Sequence, residues 1–154
     1  MNRHHYELTT LWVGNEGSGT SDYKSYSRAH VIRAEGKREI QGSSDKAFHG
    51  DVTRWNPEEL LIAALSQCHM LSFLHVAQLS GVVVEHYEDR ASGILETRPD
   101  GSGHITEVTL RPQIDMSAGD PSVIPELHHR ASTLCFIANS VNFPVRHEPV
   151  TRSS

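Results

Sequence analysis

Cys68 and Cys135 are the two thiols in this chain of 154 residues. As thiolates they could act as nucleophile, redox couple or metal ligands. Two cysteines are too few for a secreted disulfide scaffold. In a reducing compartment such a pair is more often catalytic, redox-active or metal-binding than structural. The plainer reading is that each packs as a small hydrophobe. A nucleophilic cysteine needs access and a neighbouring positive group to hold its thiolate. Arg28 and Arg54 are the cationic candidates, and tertiary structure must deliver either one, because neither adjoins Cys68 in the chain. Glu58 stands ten residues before Cys68. On a straight helix that is about 15 Å of rise and roughly 80° of rotation. A single site holding both therefore requires a kinked helix or two subunits, and this geometry points toward a dimer.

The histidines offer a second possible chemistry. His69 follows Cys68, His75 lies six further on, and His128 and His129 precede Cys135. Structural zinc spacings and the H-E-x-x-H pattern are both missing, so no metal is expected. His69 is expected to pack against, or hydrogen-bond, a core neighbour, and His128 and His129 to form a solvated helix face. Nucleotide-binding glycine patterns, a G-x-S-x-G elbow and a papain-like signature are missing too. No cofactor is expected.

Several elements must position these residues. Tyr6 to Val13, Tyr26 to Ala34 and Arg38 to Gln41 read as strands, the last two joined by a turn at Glu35-Gly36-Lys37. Residues 43 to 55 read as an ordered loop. The strongest element starts at Asn56, a cap, with Pro57 in the first position and Glu58 and Glu59 in the first turn. It runs to Ser80, with Gly81 as its C′ residue. Apolar residues lie on almost every side of this helix, which predicts burial nearly all round. Beyond it, Val82 to Leu95 and His104 to Ile114 read as a hairpin around the turn at Pro99 to Gly103. Asp120 to Asn139 reads as a helical region broken near Leu134. Val141 to Val150 reads as a last strand that Pro144 pushes to an edge. Strands grouped between helices make the class α+β.

Composition narrows the function classes. A hydrophobic fraction of 37% and a charged fraction of 21% indicate a globular chain, and 154 residues suit one domain, 1–154. Net charge is −5 with histidines neutral, and no basic block is present, which argues against nucleic acid. No apolar run is read as long enough to span a bilayer, and no secretory signal is visible, so no membrane association and a cytoplasmic location are expected.

Asn56-Pro57-Glu58-Glu59-Leu60-Leu61, then Ala63-Ala64, then Cys68, with Cys135 a further 67 residues on, resembles the OsmC/Ohr family of osmotically inducible and organic hydroperoxide resistance proteins. The resemblance runs from about Tyr6 to Val150. It implies an OsmC-like α+β fold, with antiparallel sheets around a long buried central helix in an intertwined homodimer. It also implies a thiol-dependent peroxidase acting on organic hydroperoxides. Cys68 would be the peroxidatic thiolate, passing through a sulfenic acid. Cys135 would resolve it as a disulfide, and a small dithiol or lipoyl-type reductant would reopen that bond. Glu58 matches the glutamate that orients an arginine beside the thiolate. The arginine itself departs from the pattern, because Ala47 stands nine residues before Asn56; Arg28 is the first candidate and Arg54 the second. The alternative on the same fold is a redox-sensing or ligand-binding module with little turnover.

Overall fold

The structure, a computed structural model, describes residues 1–153. The chain forms two compact units, Met1–Leu60 and Leu61–Ser154.

In the first unit, β1 (Thr9–Trp12), β2 (His30–Arg33) and β3 (Ile40–Gly42) form an antiparallel sheet in chain order. The β2–β3 turn falls at the expected residues. Lys37 N–H donates to the Ala34 carbonyl at 3.2 Å, and Gly36 supplies the positive φ of 71° that the tight reversal needs. The expected loop contains a 3₁₀ turn at Lys46–Phe48, capped by Asp45.

Helix α1 (Pro57–Leu79) starts where its capping signals place it. Asn56 Oδ1 accepts from Glu59 N at 2.8 Å, and Glu59 Oε2 accepts from Asn56 N at 3.2 Å, a reciprocal capping box. The helix ends at Gly81, whose φ is 72°, with Val82 N–H reaching back to the Ala77 carbonyl at 3.0 Å.

Its burial differs from the expectation. Leu65, His69, Phe73, Val76 and Ala77 form one buried stripe at helical spacing, while Leu71 and Leu79 are 60% and 61% exposed. Leu61 and Ile62 are partly buried against the second of the core clusters, so it is Leu71 and Leu79 that stay uncovered in a single chain. By length and composition α1 could cross a membrane, with a mean hydropathy of 1.6, contrary to the expectation that no run is long enough. Its buried stripe instead enters both core clusters of the second unit, as a core helix does.

The second unit corrects the strand count. Where one strand was expected before the turn, the chain makes β4 (Val83–Asp89) and β5 (Ser92–Thr97). Where one was expected after it, the chain makes β6 (Gly103–Leu110) and β7 (Pro112–Ala118). The ribbon changes sheets at Asp89 and Arg111. Asp89 Oδ1 accepts from Arg111 N at 2.6 Å, and Arg111 Nη1 donates to the Arg90 carbonyl and to Ser92 Oγ. The result is two mixed sheets, β4-β7-β9 and β5-β6-β8. The last expected strand is likewise two, β8 (Val145–His147) and β9 (Val150–Ser153), each added parallel at an edge. Pro144 and Pro149 lack N–H groups, and each stands immediately before one of these two short edge strands.

The second helical region is broken where expected. α2 (Ile124–Leu134) stops one residue before Cys135, and a 3₁₀ turn, Ala138–Ser140, follows. One core cluster joins Phe73, Val76 and Ala77 of α1 to Ile124, Leu127 and Ala131 of α2 and to Ile114 and Met116 of β7. A second holds Leu65 with Ile105, Val108 and Leu110 of β6.

Candidate active site

Cys68 lies on α1 between the buried positions Leu65 and His69, and it is partly exposed. Cys135 is fully buried, at 1% exposure, where the chain leaves α2 with φ −71° and ψ 108°. That extended turn swings the next segment back over the sulfur. Cys135 Sγ accepts from Ala138 N–H at 3.4 Å, and the Ile137 amide also favours its anion.

The structure brings the two predicted cysteines together as free thiols that interact with each other. Their environments differ. Burial, the largest influence, pushes the Cys135 thiol up to about 11; the Ala138 amide pulls it down, and Cys68 beside it raises it again. Cys135 is thus a hidden, protonated thiol at neutral pH, and Cys68 is the sulfur that a dissolved molecule can approach.

The other predicted site residues belong to the first unit. Glu58 is half-buried in the first turn of α1. The helix is unbroken from Pro57 to Leu79. The Arg28 guanidinium stacks over the Tyr26 ring at 3.9 Å and the Tyr23 ring at 4.6 Å. It donates to the Tyr26 carbonyl at 2.7 Å and to the Tyr23 carbonyl at 2.6 Å. Arg28 also lines an open cavity of about 340 Å³ with Trp12, Tyr26 and His30. Arg54 donates to the His30 carbonyl at 3.2 Å and lies 3.9 Å from Asp51.

Sequence reasoning placed His69 correctly in the core and His128 wrongly in solvent. His69 is 1% exposed and His128 4%. His69 Nε2 and His128 Nδ1 share a hydrogen bond of 3.1 Å. The His147 ring lies 4.4 Å from that of His69, and the Phe73 ring stacks on His128 at 4.2 Å. Burial, followed by the neighbouring imidazoles, depresses His69 to about 3 and His128 to about 4; His147 is also lowered by burial, against the pull of Asp89. His69 and His128 are therefore neutral at physiological pH.

The missed signal was spacing. His128 precedes Cys135 by seven residues, nearly two helical turns, which puts both on the same side of α2. The described residues contain no group of three or more His, Cys, Asp or Glu side chains arranged to hold a metal ion.

The family model described as OsmC-like protein matches residues 48–149. An OsmC-like protein of unknown function from Vibrio cholerae is 34% identical, with a TM-score of 0.85, over 96% of this chain and 100% of that one. The organic hydroperoxide resistance protein OhrB of Bacillus subtilis shares the fold at 20% identity and a TM-score of 0.62, over 94% of this chain and 96% of its own. The uncharacterized protein YmaD of Bacillus subtilis is 23% identical over 92% of this chain and 89% of its own length. With its capped helix carrying Cys68, its second thiol at Cys135 and a match over most of its length, the chain belongs to the OsmC/Ohr family.

Proposed function

We propose that this protein is a thiol-dependent peroxidase that reduces organic hydroperoxides to alcohols. The observation that carries this reading is the paired but unequal environment of Cys68 and Cys135. The accessible Cys68 thiolate attacks a peroxide oxygen and the O–O bond breaks. The departing alkoxide takes a proton and leaves as the alcohol, and Cys68 becomes a sulfenic acid. The Cys135 sulfur then attacks the Cys68 sulfur, water departs with the thiol proton, and a disulfide remains. A small dithiol, of the lipoyl type, restores both thiols by exchange and is itself oxidised to a disulfide. Bound metal and cofactor have no part in this scheme.

The positive charge beside Cys68 comes, in this reading, from a second copy of the chain. The partner subunit's Glu58 orients the partner subunit's Arg28, with Arg54 the second candidate. The exposed apolar face of α1, including Leu71, and Phe136 at 80% exposure give such a homodimer surface to bury. Residues 1–154 act as one OsmC-like domain, consistent with the 96% coverage by the Vibrio cholerae structure. We assign the protein to the cytoplasm, where a dithiol pool keeps both cysteines reduced.

The test is steady consumption of cumene or tert-butyl hydroperoxide with dihydrolipoamide as reductant. Many turnovers per protein are expected. A single stoichiometric oxidation that then stops would replace this reading with that of a redox sensor on the same fold.

A further inference from the structure

Next to the thiol pair lies a second buried pair that the peroxidase scheme leaves without a task. His69 neighbours Cys68 on α1, and His128 lies on the same side of α2 as Cys135. Their 3.1 Å hydrogen bond is a direct polar link between the two helices, beside Phe73, whose ring stacks on that of His128. Both rings are buried and almost coplanar, with 8° between their planes. A neutral N–H···N bond is directional and holds little energy once lengthened or bent. Apolar contacts are non-directional, and on their own they leave helices freer to slide against one another.

The pair also carries a polar cost. Among the described residues His69 Nδ1 and His128 Nε2 find no hydrogen-bond partner, and neither does the Tyr87 hydroxyl. Unsatisfied buried polar atoms oppose folding. Leucine at both positions would avoid that cost, so raw stability does not account for two imidazoles here.

We propose that the His69–His128 hydrogen bond is a positioning clamp. It fixes the register of α1 against α2, so that the Cys68 and Cys135 sulfurs are held at bonding approach. The inference rests on the pairing of Cys68 with Cys135 in the proposed function. Neither histidine touches the reacting oxygen; His69 acts through α1, which carries Cys68, and His128 through α2, whose end Cys135 directly follows. Aligned reacting groups gain effective concentration steeply, and a misplacement of about 1 Å can cost about a hundredfold.

The experiment measures the effective concentration of the two thiols in the full-length protein, without peroxide. Protein is equilibrated in buffers of reduced and oxidised glutathione at fixed pH. The intramolecular disulfide forms as one glutathione disulfide is reduced to two glutathione thiols, and mass mapping gives the disulfide fraction. Two paired variants are compared. His69→Gln with His128→Asn places amide groups where the two ring nitrogens met and can keep the bond. His69→Leu with His128→Leu fills the volume without a bond.

The wild type should close the disulfide readily. The amide pair should stay within about threefold of it, and the leucine pair should fall by about tenfold or more. Urea unfolding of the leucine pair should show unchanged or greater stability, which separates positioning from simple support of the fold. Equal effective concentrations in wild type and leucine pair would overturn the clamp while leaving the cysteine pairing intact. So would an equal fall in both variants. A wild type that forms no intramolecular disulfide would overturn the cysteine pairing and the clamp together.

Discussion

Mild acid should destabilise this protein well above the pH at which its carboxylates titrate. His69 and His128 are held neutral by burial, near 3 and 4, against an ordinary value of 6.5. Above pH 6.5 both the folded and the unfolded chain leave these rings uncharged, and stability is indifferent to pH on their account. Below pH 6.5 the unfolded chain takes up protons that the folded chain refuses, so the unfolded state gains. The stabilising contribution is thus present above 6.5 and is lost as pH falls toward the folded values. Each depressed histidine costs about 1.4 kcal/mol per pH unit in that window. At pH 5.5 the two together cost about 3 kcal/mol relative to pH 7.5. His147, lowered in the same direction, adds to the slope. Urea unfolding followed by far-ultraviolet circular dichroism at pH 7.5, 6.5, 5.5 and 4.5 reads this directly. The midpoint should fall steeply below pH 6.5, and the variant with leucine at both positions should lose most of that slope. A flat wild-type profile between pH 6.5 and 5, or an equal slope in the leucine pair, would refute the neutral buried pair.

Other substitutions have calculable outcomes. Phe73 is fully buried between His128 and Tyr87, so Phe73→Ala should cost about 3–5 kcal/mol in urea unfolding. Asn56→Ala removes one half of the capping box at the start of α1 and should cost about 1 kcal/mol in the same assay. Arg28→Ala should slow the first oxidation of Cys68 by about tenfold, by removing the positive charge proposed to sit beside its thiolate, while Arg54→Ala has a smaller effect; the reverse order in stopped-flow oxidation would exchange their roles.

Local signals in the sequence were read well where a few neighbouring residues decide the outcome. Asn56, Pro57, Glu59 and Gly81 bounded α1 because caps act within one turn. The break after Leu134 was visible for the same reason. The division of each long strand into two was hidden, because it depends on Asp89 meeting Arg111, 22 residues apart. The parallel attachment of β8 and β9 is also non-local and leaves no periodic trace. At the site, the spacing of Cys68 and Cys135 carried the family resemblance. The burial of His128 was missed because a polar dipeptide, His128-His129, looks solvated until its partner on another helix is known. The burial of α1 was overestimated because composition counts apolar residues without saying which ones a single chain can cover.

One measurement bears on the central claim most directly: peptide mass mapping of the reduced protein after a single equivalent of cumene hydroperoxide. In the wild type, Cys68 and Cys135 should be recovered in one disulfide-linked peptide pair. In Cys135→Ser, Cys68 should carry the added oxygen instead and advance to sulfinic acid with excess peroxide. Recovery of both cysteines as unmodified thiols, or oxidation confined to the buried Cys135, would contradict the account.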